Sequence, residues 1–329
     1  MNTETFKSDT ILLTTAIIWG FAFVAQRVGM DYIGPFLFNG IRFALGCGVL
    51  LPLIVGKNER NHKPRTGEKV GRVTLLIGSA TAGLMLFAGA SLQQVGLVYT
   101  TAGKAGFITG LYVIIVPLLA LFWGQRTTAG TWVGAVLASA GLYFLSISQQ
   151  FTIAFGDVLV LFCAVFFAAH VLIIGWLSPK MNSFRLAFIQ YGACSLLSLI
   201  VAVLYEPVTR DGILRAAVPL LYGGVMSVGI AYTLQVIGQR RAHPAHAAII
   251  LSLESVFAAL GGWALLGETM SPRQMSGCGL MLFGMLVSQL WIFIVARKLP
   301  AERHPSPRVS VLPGDAGFHC RSNIDDETG

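Results

Sequence analysis

The stretch that decides the fold is RAHPAHAAIILSLESVFAALGGWALLGE, residues Arg241–Glu268. After His246 it stays apolar over roughly the 20 residues that a helix needs to cross a hydrocarbon core. A single acid, Glu254, interrupts this run near its middle, where a charge is costly. A counterpart, YTTAGKAGFITGLYVIIVPLLALFWGQ, occupies Tyr99–Gln125 in the first half of the chain. The sequence therefore predicts two related halves that are both buried in a membrane.

The composition of the whole chain agrees with a membrane protein. Of its 329 residues 55% are hydrophobic and only 12% are charged, and the mean hydropathy is +0.71. Such a chain has more apolar surface than a soluble core can bury. The net charge of +8 is also typical of nucleic-acid binding, but the basic residues concentrate in loops and tails, so no nucleic-acid partner is predicted. The first apolar run, Ile11–Val28, leads directly into another span and is predicted to be retained.

Ten apolar runs are separated by polar residues or by Gly and Pro, and each is long enough for a membrane-spanning helix. We therefore predict an all-α integral membrane protein with ten transmembrane helices, called spans 1–10 below. Spans 1–5 are predicted at 10–28, 35–55, 73–92, 101–123 and 130–147. Spans 6–10 are predicted at 156–177, 184–204, 216–238, 246–266 and 273–296.

Lys and Arg residues in or beside the short loops predict the orientation. The connections after spans 2, 4, 6 and 8 hold eleven of them, and those on the opposite side hold three. Because cytoplasmic loops carry the excess of positive charge, the side with eleven is predicted to be cytoplasmic, with both termini, in the cell (inner) membrane. The eleven are Lys57, Arg60, Lys63, Arg65, Lys69, Arg72, Arg126, Lys180, Arg185, Arg240 and Arg241; the three are Arg210, Arg215 and Arg273.

The two halves repeat one pattern at a nearly constant offset. An ordered match predicts a first repeat at 10–147 and a second at 156–296, with tails at 1–9 and 297–329, the latter expected to be disordered. Each repeat has five spans, an odd number, so the second enters from the opposite face and the repeats are inverted. Inverted repeats place a substrate site near mid-depth between the halves. Matching residues are Gln93, Gly96, Ala105, Ile108 and Leu111 with Gln235, Gly238, Ala247, Ile250 and Leu253.

Three groups of residues carry a family resemblance: Trp19-Gly20 in span 1, GIRF at Gly40–Phe43 in span 2, and Gly267-Glu268 followed by Gly277 and Gly284. Together they resemble the drug/metabolite transporter superfamily, specifically its EamA-type ten-helix members, over nearly all of 10–296. The resemblance implies export or uptake of small metabolites such as amino acids, amines or drugs through a central cavity. Two departures are Glu254-Ser255 in place of the family's usual Glu-Pro, and Gly124-Gln125 in place of Gly-Glu.

These features predict a secondary transporter that moves a small organic metabolite, an amino acid or a drug-like molecule outward by alternating access. A passive facilitator without ion coupling is the alternative within transport. An intramembrane enzyme is a rival of another class, but GxxxxGK[ST], HExxH and GxSxG motifs are absent from the sequence. We therefore predict that the chain is not an enzyme and needs no cofactor or metal. A small-molecule substrate and the lipid bilayer are the expected partners.

Polar and aromatic residues inside the predicted spans are the candidates for a substrate site. Trp19 lies about 15 Å along span 1, far from the interface where Trp usually anchors, and either faces the cavity or packs in the core. Gly20 beside it allows another helix to approach closely. Arg42, about 10 Å inside span 2, either reaches the outer interface or binds an anionic substrate.

His170 in span 6 and Glu254 in span 9 are candidates for a functional pair. Counting from the cytoplasmic ends of their helices places them about 10 Å and 12 Å deep, so they could face one cavity. His170 could instead donate to a backbone carbonyl, and Glu254 could instead hold span 9 in place. A carboxylate at mid-membrane needs a partner, water or a proton, so Glu254 is the candidate for proton coupling. Neutral candidates for the cavity wall are Gln93, Gln94, Gln190, Gln235 and Tyr112.

The predicted orientation can be tested by cysteine accessibility in a background without the native cysteines. A single cysteine within Lys57–Arg72, or after residue 297, should react with a membrane-impermeant reagent only from the cytoplasmic side, because positive loops stay there. A cysteine at Arg210, on the opposite side, should react only from outside. Labelling of either of the first two positions in intact cells would show that the orientation is wrong.

Overall fold

The structure, a computed structural model, describes residues 3–55, 71–123, 129–146, 153–240 and 244–298. The basic loop at 56–70, Arg126, Arg241 and the tail after 298 lie outside these ranges. Helices make up nearly all of the described chain. Those of the first half are α1 (Thr3–Gly29), α2 (Pro35–Val55), α3 (Arg72–Tyr99), α4 (Ala102–Gly110), α5 (Tyr112–Ala120) and α6 (Ala129–Ser146). Those of the second half are α7 (Phe155–Leu177), α8 (Ser183–Tyr205), α9 (Arg210–Arg215), α10 (Ala217–Leu221), α11 (Thr233–Gln239), α12 (Pro244–Ser252), α13 (Glu254–Leu266) and α14 (Pro272–Lys298).

The prediction of an all-α membrane protein is confirmed. Within the described ranges seven helical segments are long and apolar enough to cross a membrane, and they correspond to spans 1–4 and 6–8. Spans 5, 9 and 10 correspond to α6, to α12 with α13, and to α14. The seven segments are Phe6–Gly29, Pro35–Ile54, Arg72–Tyr99, Ala102–Ala120, Phe155–Leu177, Ser183–Tyr205 and Ala217–Gln239.

Span 1 starts earlier than predicted. Helix α1 begins at Thr3 instead of residue 10, so most of the predicted N-terminal tail is helical. The buried Ser8 hydroxyl donates to the backbone carbonyl of Gly238 at 2.9 Å. This bond ties the start of α1 to the end of span 8, which explains why the helix extends over a stretch that contains polar residues.

Span 3 ends later than predicted, because two buried amides do not stop it. Helix α3 runs to Tyr99, although Gln93 and Gln94 follow the predicted end at residue 92. Gln94 Nε2 donates to the carbonyl oxygen of Gln26 at 3.1 Å, and Gln93 Nε2 donates to the Thr109 hydroxyl at 3.2 Å. A buried polar side chain that finds a partner is compatible with a membrane helix.

The helices form two halves, and the contacts of a span in one half recur for its counterpart in the other half. Spans 2, 4 and 5 pack against their counterparts, spans 7, 9 and 10. Span 1 packs against spans 8 and 9, just as span 6 packs against spans 3 and 4. Within the pair of spans 4 and 9, α4 contacts α13 while α5 contacts α12, so the two run antiparallel. This pattern is the one expected of inverted repeats.

Helices α6 and α14 come into close contact because glycines face each other where they cross. A Cβ atom on Gly141 would lie 2.6 Å from the carbonyl oxygen of Gly277. One on Gly284 would lie 2.8 Å from the carbonyl oxygen of Gly134. No side chain fits at these positions, so the two backbones touch directly.

Spans 4 and 9 each contain an irregular turn near the middle, called the break below, at the equivalent residues Leu111 and Leu253. Their backbone angles are nearly the same: φ −59° and ψ −17° at Leu111, φ −61° and ψ −15° at Leu253. A tight turn follows each break, since the N–H of Ile114 donates to Leu111 at 2.9 Å and that of Val256 donates to Leu253 at 3.0 Å. The two repeats therefore share one irregularity.

Ser255 reinforces the tight turn in span 9. Its hydroxyl donates to the carbonyl oxygen of Ser252 at 2.7 Å, a local bond that competes with the helical ladder. Gly110 of the other half leaves space for the Ser255 side chain, because a Cβ atom at Gly110 would collide with Ser255 Oγ. The two broken segments therefore lie against each other where the halves cross.

Span 8 contains a π-helix at Tyr222–Tyr232, whereas its counterpart, span 3, is one continuous α-helix. Gly224 in this segment fits closely against Leu45 of α2. Segments with π-helical turns often occur at functional sites, since they change the direction in which side chains point. Here Ser227 and Tyr232 reach the interface between the halves.

One end of the bundle, where α2 and α4 begin, is closed by bonds between the halves. The Glu206 carboxylate accepts from the backbone N–H groups of Phe36 and Leu37 at 2.9 and 2.7 Å. Glu268 accepts in the same way from the first two residues of α4 at 2.8 and 3.0 Å. A carboxylate is favoured there because the first N–H groups of a helix lack partners within it.

An ion pair between the halves lies at the same end. Lys104 Nζ of α4 is 2.5 Å from a carboxylate oxygen of Asp157 in α7. The Thr100 hydroxyl donates to the other oxygen of Asp157 at 2.7 Å. This acid is buried, so the contact is shielded from solvent and is stronger than an exposed pair. All three acids join the second half to the first.

The close packing of α6 against α14 can be tested with two glycines of α14. Gly277→Ala should lower the melting temperature of the purified protein, because its Cβ would lie 2.7 Å from the carbonyl oxygen of Gly141. Overpacking of this kind costs about 1–3 kcal/mol. The matched control is Gly279→Ala, where a Cβ atom meets nothing within 4 Å. An unchanged melting temperature for Gly277→Ala would contradict the backbone contact.

Candidate functional site

A cavity lies between the two halves at the level of the broken spans. Side chains from spans 1, 2, 3, 4, 6, 8 and 9 form its wall, so both halves contribute. The space between the lining atoms is about 470 Å³, but it is narrow, since the centres of water molecules can occupy only about 30 Å³ of it. This conformation therefore has room for a few water molecules, and a metabolite can enter only if the wall moves.

The structure brings most of the predicted site residues together. Seven of the eight line this cavity, namely Trp19, Arg42, Gln93, Tyr112, His170, Gln235 and Glu254. The eighth, Gly20, lies behind the wall. A Cβ atom on Gly20 would collide with Phe257 and lie 2.9 Å from the backbone of Ala258. Gly20 thus lets span 1 pack against the first turns of α13, which carries Glu254.

Glu254 is the first residue of α13, directly after the break in span 9, and only 4% of it is exposed. Tyr112 holds the equivalent position after the break in span 4. The Tyr112 hydroxyl lies close enough to the carboxyl group of Glu254 for the two to interact electrostatically. Its oxygen nevertheless has no partner with hydrogen-bond geometry among the described residues. The helix break thus presents an acid and an unsatisfied phenol to the cavity.

Arg42 lies in α2 with 1% of its surface exposed, so its side chain does not extend to the interface. The guanidinium group lies over the rings of Phe38 and Phe43, 5.7 and 5.1 Å from their centroids. Its Nε and Nη2 atoms have no hydrogen-bond partner in the described ranges. The cavity therefore contains a buried cation with unused donors.

Aromatic rings form the middle of the wall, with Tyr232 at their centre. Trp19 meets Tyr232 edge to face with ring centroids 4.5 Å apart, and its Nε1 donates to the carbonyl oxygen of Ser227 at 3.3 Å. The rings of Phe43 and Tyr191 lie 5.9 and 6.2 Å from Tyr232. The contacts of Trp19 and Tyr191 with Tyr232 are edge to face, and such contacts add to the stabilisation from burial, so Tyr232 is held in place at the cavity.

His170 lines the same cavity but pairs with Gln190 and not with Glu254. Its Nε2 atom is 2.7 Å from Oε1 of Gln190. Because an amide oxygen can only accept, Nε2 carries the proton. No ion pair between His170 and Glu254 occurs in the described chain. The predicted functional pair therefore shares a cavity without a direct bond in this conformation.

Half of the residues that line the cavity were not predicted from the sequence. Tyr232 is the most central of the missed residues, and a signal for it existed: it lies three residues before Gln235, a spacing that places both on one helical face. Gln26, Thr109 and Ser227 also had a signal, since each is a polar residue inside a predicted span. Phe23, Phe167 and Val171 are apolar and have no signal that separates them from packing residues. The missed residues are Phe23, Gln26, Thr109, Phe167, Val171, Ser227 and Tyr232.

The wall combines an acid, a cation, amides and aromatic rings, which suits reversible binding of a small polar molecule. Within the described ranges, no three His, Cys, Asp or Glu side chains are grouped so that they could hold a metal ion. Comparison with protein families gives a match to the EamA-like transporter family at residues 6–147 and again at 154–290. The chain belongs to the EamA-like transporter family.

Relatives of this EamA-like transporter agree with that assignment. An uncharacterized transporter from Archaeoglobus fulgidus is 35% identical over 284 residues, which covers 86% of each chain. The uncharacterized inner membrane transporter YedA of Escherichia coli is 24% identical over 299 residues, covering 87% of this chain and 92% of YedA. A crystal structure with 19% identity matches with a TM-score of 0.66 over 88% of this chain and 98% of its own. At that identity the structural match shows the fold alone.

The role of Trp19 in this EamA-like transporter can be tested by two substitutions. Trp19→Ala should raise the KM for the transported solute about 10-fold while expression is retained, because it removes the ring that packs on Tyr232 at the cavity. Trp19→Phe keeps a ring and should have a smaller effect. Trp263→Ala, an exposed position on α13, is the control. An unchanged KM in Trp19→Ala would assign Trp19 to packing.

Proposed function

We propose that this protein is a secondary transporter that exports a small organic metabolite, an amino acid or a drug-like molecule by alternating access, coupled to protons through Glu254. The observation that carries the proposal is the cavity between two inverted halves, with the acid Glu254 at the break of span 9. Family membership and the names of the relatives support transport over catalysis.

Alternating access is supported by the way the cavity is closed. Glu206, Glu268 and Asp157 all bond across the two halves at one end of the bundle. These bonds must break if that end opens, because each joins an element of one half to an element of the other. The charge pattern of the loops supports an outer location for this end, with both termini in the cytoplasm and the protein in the inner membrane.

A role for Glu254 in proton coupling is supported by its surroundings. The carboxyl group is buried in the low-dielectric interior, where an ionised acid without a partner is unfavourable. Glu254 lines the cavity, so its protonation would depend on which end admits water. The equivalent position of the first half holds Tyr112, which gives the site the asymmetry that a coupled carrier needs.

Proton coupling can be tested with Glu254→Gln in proteoliposomes. This change preserves size and most hydrogen bonding but removes the titration. A pH gradient should drive solute accumulation by the wild type and not by Glu254→Gln, while solute exchange without a gradient persists in both. Asp211→Asn, which alters an exposed acid paired with Arg215, should behave like the wild type.

Two results would contradict parts of this proposal. If accumulation and its pH dependence both survive in Glu254→Gln, the proton site lies elsewhere. If the wild type exchanges solute but never accumulates it against a gradient, the protein is a passive facilitator. A comparison of excreted metabolites in cells with and without the protein identifies the solute for these assays without a prior guess.

A further inference from the structure

The mechanism proposed above assigns no role to Arg42. The side chain is buried, and its Nε and Nη2 atoms have no hydrogen-bond partner among the described residues. The ion pairs recorded in the described chain involve Arg27, Lys104 and Arg215 but not Arg42. A cation inside a membrane protein is costly and normally pairs with an acid or lines a substrate path. The position of Arg42 therefore needs a compensating group that the described residues do not provide.

The guanidinium group is held at the cavity and not at the membrane interface. The rings of Phe38 and Phe43 lie beside it, and Gly223 of the π-helix packs close to its stem, with a Cβ position 3.5 Å from Arg42 Cδ. Aromatic faces attract a cation, which offsets part of its desolvation. They do not accept the strong in-plane hydrogen bonds that a guanidinium offers, so its donors stay available.

We propose that Arg42 is the docking group for an anionic substituent of the transported solute: a carboxylate, a sulfonate or a phosphate. The inference rests on the transport function proposed above and adds the charge class of the solute. Nε together with a terminal nitrogen forms a planar fork that matches two oxygens of such an anion. An oxyanion between these donors accepts the hydrogen bonds that no described residue accepts from Nε and Nη2.

The rest of the wall indicates the body of the solute. Tyr232 lines the same cavity as Arg42 and Glu254. The ring of Trp19 adjoins it. A solute whose anionic group binds Arg42 therefore places its next atoms against aromatic rings. The best fit is a small organic anion with an apolar or aromatic body.

A docking role and a purely structural role for Arg42 predict opposite effects on the solute-free protein. If Arg42 braces the fold, Arg42→Met should lower the melting temperature strongly, because the brace is lost. If Arg42 is a docking group, Arg42→Met should leave the melting temperature unchanged or raise it, because an apolar chain replaces an unpaired buried cation. Loss of transport with retained stability is the expected combination.

The ligand class can be tested with three probes of one shape on purified protein in phosphatidylcholine nanodiscs. Phenylacetate carries the anion, phenylacetamide is its neutral counterpart, and phenethylamine is cationic. Phenylacetate should raise the melting temperature of the wild type, and the other two should not. Its Kd should be about 10- to 100-fold weaker in Arg42→Met, with Arg42→Lys in between, since lysine keeps the charge without the fork. Arg27→Gln, an arginine paired with Asp31, is the matched control and should bind like the wild type.

Several outcomes would overturn the docking role. Strong destabilisation of both Arg42→Met and Arg42→Lys would assign Arg42 to the fold. Equal binding of phenylacetate by wild type and Arg42→Met, or no binding of phenylacetate by either, would show that Arg42 does not hold a small anion. Arg42-dependent stabilisation by added phosphatidylglycerol, with no further effect of phenylacetate, would make it a lipid site. If the excreted solutes turn out to be cationic or neutral, transport stands and the docking role falls; if no solute depends on the protein, the transport proposal itself fails.

Discussion

The crossing of the two broken spans is the contact on which the site depends. Gly110 of span 4 lies against Ser255 of span 9, and Gly106 lies against Ala258 one turn further on. Because these residues are small, the backbones of the two halves come close enough for both breaks to face one cavity. The breaks then aim Glu254 and its counterpart in the first half inward. A larger side chain at the crossing would move Glu254 and Tyr112 apart.

Charged bonds between the two halves lie at one end of the molecule. At the end where α2 and α4 begin, Glu206 and Glu268 bind helix N-termini of the opposite half with charge-assisted bonds. The repeat would place an equivalent of Glu268 at the other end, but the sequence has the neutral Gln125 there. The two repeats therefore differ in charge at this position.

Sequence alone was sufficient for the spans and for much of the site. The hydrocarbon core forces backbone groups to pair within helices, so apolar length predicts the spans. The same constraint turns polar residues inward, which is why Arg42 and Glu254 line the cavity. The partner of His170 was not predictable, because its bond to Gln190 depends on how two helices are rotated.

Alternating access is the central claim, and distances across both ends of the molecule test it most directly. One pair of spin labels at Tyr32 and Val208 reports the closed end, and a second pair at Phe6 and Trp176 reports the other end; all four positions are exposed. Pulsed electron–electron double resonance in nanodiscs should show two populations for each pair. A change of pH should lengthen one distance while it shortens the other. A single unchanged distance for both pairs, or two distances that lengthen together, would contradict the account.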